Sequence, residues 1–206
     1  MVPCSVRAVL TVLTKRSVWF QPFPQRASSM SKKIQFTRRV PPGDEIERSI
    51  CDRCGFVDYE NPRIVVGSVA TWEDRVLLCK RAIEPRSGFW TLPAGYLEQN
   101  ESPEAGALRE AWEEARARLE IDQLLGTYAI TRISQVQLIY RARLVNPDVA
   151  AGPESLEVGL FSWDELPPPD QIAFPSVNWA LEDFRGHQSD SEFAPRTRTD
   201  AGPGGI

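Results

Sequence analysis

A single histidine, His187, stands in the 206 residues, which leaves almost nothing for a catalytic relay built on imidazole. No apolar run approaches the roughly 20 residues needed to cross a bilayer as a helix. The best, at 8–13, is far too short, so an integral membrane protein built on helical spans is excluded. Four cysteines (Cys4, Cys51, Cys54, Cys79) are too few and too irregularly spaced for a disulfide scaffold, and they suit a reducing compartment. Acid is missing from the first 43 residues, which carry eight Lys or Arg. The remainder holds 16 basic against 28 acidic residues, a body of net charge -12 that matches a nucleic-acid backbone poorly. What is present is ordinary: 42% hydrophobic and 25% charged residues, enough for a core and too apolar for global disorder.

The length fits one domain with extensions. Residues 1–30 hold Arg7, Lys15, Arg16 and Arg26 among Ser, Thr and scattered apolar residues. That is the composition of an organellar transit peptide, with a disordered leader, or initiation at Met30, as the alternative. Residues 31–61 form a small cysteine-bearing segment, 62–185 the main domain, and 186–206, polar and without apolar periodicity, a disordered tail. Two β-rich runs, 63–71 and 75–81, read as a hairpin, and 128–133 with 136–144 as a second pair. A further short strand falls at 157–161, and the sheet is mixed or antiparallel. Helices are expected from Pro103 to about Leu119 and from Ser176 to Phe184.

The first helix is the informative segment. Ser102 is a good N-cap, Pro103 fits the first helical position, and Glu104 complements the helix dipole. Ala105, Leu108, Trp112, Ala115 and Leu119 fall on one stripe at about 100° per residue, and this stripe is expected to pack on the sheet. Glu110, Glu113 and Glu114 then project together from the opposite face. Like charges at i, i+3 and i+4 cost about a few tenths of a kcal/mol per pair. Either the face is simply solvated, or the three carboxylates hold a hard divalent cation such as Mg²⁺ or Mn²⁺.

The surroundings of the helix favour the cation. Gly95 is followed after five residues by Glu101, and after seven more by Arg109-Glu110-Ala111-Trp112-Glu113-Glu114. This resembles the Nudix box, a glycine loop leading into a metal-binding helix. It departs from the pattern at Arg116, where the box has its last glycine, beyond the carboxylates. The resemblance implies an α/β fold, the Nudix α/β/α sandwich with a mixed sheet, preceded here by a degenerate zinc-ribbon-like segment. It implies divalent-metal-dependent hydrolysis of a nucleoside diphosphate derivative, the metal neutralising pyrophosphate and activating a water. Carried over by position, Glu110, Glu113 and Glu114 become metal ligands, with Glu110 or a loop acid as general base. Arg109 pairs with Glu101 or Glu113 to fix the loop against the helix. Gly95 supplies a carbonyl or a tight turn near the metal. An acid at 153–157 completes the site, Glu157 ahead of Glu154.

Outside the box, residues 64–67, 76–81, 90–95 and 173–176 resemble the bacterial and plant subgroup of ADP-ribose and FAD pyrophosphatases, a plastid member most of all. That likeness, over Val40 to Phe184, implies a dinucleotide substrate cleaved to AMP and a second phosphate, and it favours the chloroplast for the leader over the mitochondrion or cytoplasm. Arg81 and Arg86 are expected to face phosphate. Trp90 either stacks on an adenine or flavin ring or packs in the core. A nucleotide sensor on the same fold is the competing function, disfavoured by the intact carboxylates. The expected partner is a small molecule, with no nucleic acid and no membrane, and a homodimer is left open. Cys51 and Cys54 have zinc-knuckle spacing, and relatives carry two such pairs. Here the upstream pair is absent, so a closed four-ligand zinc site is not expected.

Overall fold

The structure, a computed structural model, describes residues 33–200. The leader at 1–30 therefore lies outside the described residues, as do 201–206. The chain divides into two compact units, Met1–Tyr59 and Glu60–Ile206. The described part of the first is an antiparallel sheet in the order β1 (Phe36–Arg39), β2 (Arg48–Cys51), β3 (Val57–Asp58).

The second unit is built on a mixed sheet. The expected hairpin forms β4 (Arg63–Trp72) and β5 (Arg75–Arg81), but the two pair directly only at Thr71↔Val76 and Trp72↔Arg75. Below that tip they part, and β6 (Trp90–Thr91) bonds to β5 while β7 (Ala94–Tyr96) bonds to β4. At Gly67 the approach of β7 is so close that a Cβ would stand 2.4 Å from the Ala94 side chain, which requires glycine. The remaining strands are β8 (Leu119–Ile130), β9 (Gln135–Leu144), β10 (Ser155–Ser162) and β11 (Arg196–Thr199), and the sheet runs β10-β5-β4-β9-β8-β11. β4 and β9 are parallel, as are β8 and β11; β8/β9 and β10/β5 are antiparallel.

Helices α1 (Pro103–Ala115) and α2 (Pro175–Gly186) cover opposite faces, as the alternation of strand residues requires. Val69, Val76, Leu78 and Ile139 pack with Val177, Ala180, Leu181 and Phe184 of α2. The intervening residues Ala70, Leu77, Cys79 and Ala142 pack with Ala111 and Ala115 of α1. The result is an α/β/α sandwich on a mixed sheet. No helix among the described residues is long and apolar enough to cross a membrane.

Four expectations change. The first helix stops at Ala115: Arg116 takes a left-handed conformation (φ 52), its N–H donates to Ala111 and Trp112 carbonyls, and Leu119 opens β8. Left-handed backbone favours glycine, which gives the departure at Arg116 its physical meaning. The buried face of α1 is also turned from the expected stripe, sharing only Ala115 with it within the helix. Gly106, Ala107, Ala111 and Ala115 lie on the sheet, whereas Leu108 is exposed and Trp112 is 44% exposed beneath the guanidinium groups of Arg116 and Arg118. Small residues let the helix approach closely, and the large apolar side chains have no room on that side. The second strand pair begins nine residues earlier than Tyr128, at Leu119, and residues 131–133 form a 3-10 turn. Finally, 187–200 is ordered: β11 bonds to β8 in parallel, Arg198 pairs with Asp183 and Glu182, and Arg141 donates to the carbonyls of His187 and Asp190. Ion pairs hold this tail, so apolar periodicity does not mark it.

Candidate active site

The cleft lies where β4 and β5 part. Ser102 starts α1 there, its hydroxyl accepting the Ala105 N–H at 3.2 Å. About two helical turns further, Arg109 organises the entrance. Its Nε and Nη2 reach both oxygens of Glu101 at 3.1 and 2.7 Å, and Nη2 also donates to the Tyr96 carbonyl at 3.0 Å. Nη1 contacts Glu110 at 2.6 Å and Glu113 at 2.9 Å. Glu101 in turn accepts the Glu98 N–H at 2.7 Å. The Arg109 guanidinium beside it, with that N–H, holds the Glu101 carboxyl below its usual range, while its carboxylate partners raise Arg109. Arg109 thus pairs with both expected partners and with Glu110 as well.

Because the helix turns its small-residue face to the sheet, two of the three clustered glutamates go inward with it. Glu110 is 8% exposed and Glu114 6%, whereas Glu113 stays exposed. Glu114 accepts the Ala94 N–H of β7 at 3.2 Å. Gly95 touches Glu110: a Cβ there would stand 2.4 Å from the carboxyl carbon and both oxygens. This close approach, rather than a tight turn, is the use of the glycine. Burial raises the Glu114 carboxyl to about 8, and it raises Glu110 as well. Glu154 adds repulsion at both, while Arg81 opposes it at Glu114.

Glu154 is brought there by a loop that spacing alone does not reveal. The N–H groups of Ala150 and Gly152 donate to the Ala115 and Glu114 carbonyls, both at 2.9 Å, closing the open end of α1. Gly152 passes so close to the helix that Pro153 and Glu154 come to line the cleft. The only trace in the sequence is glycine two residues before an acid. Glu157, by contrast, lies outside the cleft lining, exposed on β10 and 3.5 Å from Lys80.

The cleft has a volume of about 830 Å³. Arg81 lines it, anchored by the Pro85 carbonyl at 2.9 Å and lying 5.3 Å from the Phe174 ring centre. Tyr96, Gln135 and Gln137 line it as well. Arg86 and Trp90 do not line it. Arg86 lies against Phe89, and Trp90, 7% exposed, packs edge-on to Phe161 in the core.

Arg109 occupies Glu110 and Glu113 here, and among the described residues no three acidic, His or Cys side chains form a closed ligand set. The donors nevertheless fit a hard divalent cation. Glu110, Glu113, Glu114 and Glu154 all line one pocket, and burial that penalises the charged forms of Glu110 and Glu114 is relieved by an added cation.

A mixed sheet between two helices, with glutamates of one helix turned into a cleft, defines a class that the comparisons name. The NUDIX domain family model matches residues 61–180, and the Nudix N-terminal zinc-ribbon model matches 34–60. The chain belongs to the Nudix family. It is similar to a Nudix hydrolase of Nitrosomonas europaea of known crystal structure, at 41% identity and TM-score 0.76, covering 82% of this chain and 96% of that one. A MutT-like protein of Streptomyces ambofaciens is 37% identical over half of this chain, and an ADP-ribose pyrophosphatase of Methanocaldococcus jannaschii 26% over 53%. The chain spans 64% and 67% of the lengths of those two relatives.

Proposed function

We propose that the protein is a divalent-metal-dependent pyrophosphohydrolase that cleaves a nucleoside diphosphate derivative, ADP-ribose or FAD foremost, with AMP as one product. The observation that carries this reading is the buried pair Glu110 and Glu114 at the wall of an open cleft. Carboxylates are not desolvated without a use or a partner, and a doubly charged cation supplies both. The similarity to an ADP-ribose pyrophosphatase supports the substrate class.

Glu110, Glu114, Glu113 and Glu154 would hold Mg²⁺ or Mn²⁺. When bound, the metal offsets pyrophosphate charge and lowers the pKa of a ligated water. The chain's own residues do the rest. Arg109 fixes Glu101, Glu110 and the Tyr96 backbone in one array, so the carboxylates are pre-positioned. Arg81 presents positive charge at the cleft for a phosphate, and the neighbouring Phe174 ring offers a flat apolar surface to a base. Glu154, the loop acid that lines the cleft, or Glu110 would take a proton from the attacking water.

The test is a panel of ADP-ribose, FAD, NADH, diadenosine polyphosphates and deoxynucleoside triphosphates with Mg²⁺ or Mn²⁺ and identification of products. AMP from ADP-ribose or FAD is the expected outcome. Release of free adenine, or of phosphate alone, would overturn the reaction class, and binding without turnover would favour a sensor. Import into an organelle rests on the leader's composition, and the plastid preference on family likeness.

A further inference from the structure

The first unit contains a cysteine pair that the proposed hydrolysis does not use. The chain reverses sharply after β2: the Cys51 N–H donates to the Phe56 carbonyl at 2.8 Å, and the Gly55 N–H to the Cys51 carbonyl at 2.9 Å. Gly55 makes this possible with a left-handed φ of 76. The reversal encloses both cysteines in a single turn. The backbone amides of Cys54 and Arg53, with the Cys54 side chain, hold the Cys51 thiol below its usual range against burial and the charge of Asp52. Cys51 is buried and Cys54 exposed.

What faces the pair is β1, and it brings no sulfur. The Asp52 N–H donates to the Gln35 carbonyl at 3.0 Å, Thr37 donates to the Asp52 carboxylate at 3.0 Å, and Phe36 stands opposite Cys51. Among the described residues no third and fourth metal ligand joins the two thiols. The turn therefore preorganises a dithiol, with one accessible sulfur and one shielded, thiolate-favouring sulfur behind it.

We propose that Cys51 and Cys54 form a reversible dithiol–disulfide site that exchanges with small-molecule disulfides of the glutathione class. The exposed Cys54 thiol passes its proton to the Cys51 sulfur as it attacks one sulfur of the external disulfide, a mixed disulfide forms, and the departing sulfur takes that proton back from Cys51 and leaves as the first thiol. The Cys51 thiolate then attacks the Cys54 sulfur, the internal disulfide forms, and the second thiol leaves. The protein gives up two electrons and two protons, and the external disulfide becomes two thiols.

The experiment uses the full chain treated with oxidised glutathione, alkylated and digested with trypsin. Arg53 lies between the cysteines, so peptides 49–53 and 54–63 stay joined only through a disulfide. The joined pair should appear, and should vanish on return to reduced glutathione. Cys51→Ser should stop at a mixed disulfide on Cys54. Cys54→Ser should leave Cys51 unmodified, and Cys79, buried in β5, should react only after unfolding. Separate, fully alkylated peptides would overturn the proposal, as would an adduct on Cys51 in place of Cys54. So would one zinc per purified chain that is lost with Cys51→Ser.

Discussion

Gly152 touches the last turn of α1 so closely that a Cβ on it would lie 1.7 Å from the carbonyl oxygen of Glu113. No rotamer relieves such a contact, because both partners are backbone. Gly152→Ala should therefore push the loop off the helix end, costing about 1–3 kcal/mol of stability. It should also withdraw Glu154 from the cleft. Urea unfolding measures the first effect, and a raised metal requirement with unchanged secondary structure by circular dichroism measures the second. An active, equally stable Gly152→Ala protein would show that the loop is not what positions the acid.

The glutamates of α1 separate by burial. Glu110→Gln, Glu113→Gln and Glu114→Gln should each lower turnover by orders of magnitude at saturating Mg²⁺, since each removes charge from the proposed metal site. Stability distinguishes them: Glu113 is exposed, so its variant should melt with the parent, whereas the two buried positions should shift. Full activity in all three would place the chemistry elsewhere.

Glu114 makes stability depend on pH in an unusual direction. Its folded value is raised to about 8 against an ordinary 4.5. Between those values the folded state keeps a proton that the unfolded state has lost, so stability falls as pH rises through the interval and levels off above it. The metal-free protein in chelator should resist urea better at pH 5.5 than at pH 8.5, and Glu114→Gln should flatten that difference. Because the metal competes with this proton, Mg²⁺ affinity measured by calorimetry should increase with pH until about 8, with proton release on binding.

Two acids of one loop and strand give a paired test. Glu154 lines the cleft, and Glu157 faces Lys80 outside it. Glu154→Gln should reduce kcat markedly. Glu157→Gln should stay within about twofold of the parent, as expected for an exposed ion pair worth about 1 kcal/mol or less. Equal losses would argue that β10 rearranges on substrate binding.

The spacing of Gly95, Glu101, Arg109 and the three glutamates is legible along the chain, because chemistry at the site needs those residue types and little else. Which way they point is not. Hydropathy favours Leu108 and Trp112 as the buried stripe of α1, yet Ala107, Ala111 and Gly106 are what fit against β4. Small residues carry almost no hydropathic signal, and close packing rewards their size. The start of β8 is hidden for a related reason, since Glu120 and Asp122 answer arginines of β9 rather than a core. Arg86, Trp90 and Glu157 are near the cleft in sequence terms, but the side of a strand on which Trp90 and Glu157 emerge, and the left-handed bend at Arg86, decide what each meets.

The tail strand β11 has an effect beyond its own ion pairs. It closes the outer margin of β8 from Gly126 to Ala129 with a stretch reading Arg-Thr-Arg-Thr. Without it, that margin would offer unpaired amides and carbonyls to any other strand, the situation that leads chains to stack edge to edge. A short, charged outermost strand is a poor template for such growth. Shortening the protein before Arg196 should therefore leave the cleft active in dilute solution but turn the molecule self-adhesive, visible as concentration-dependent light scattering that the full chain lacks.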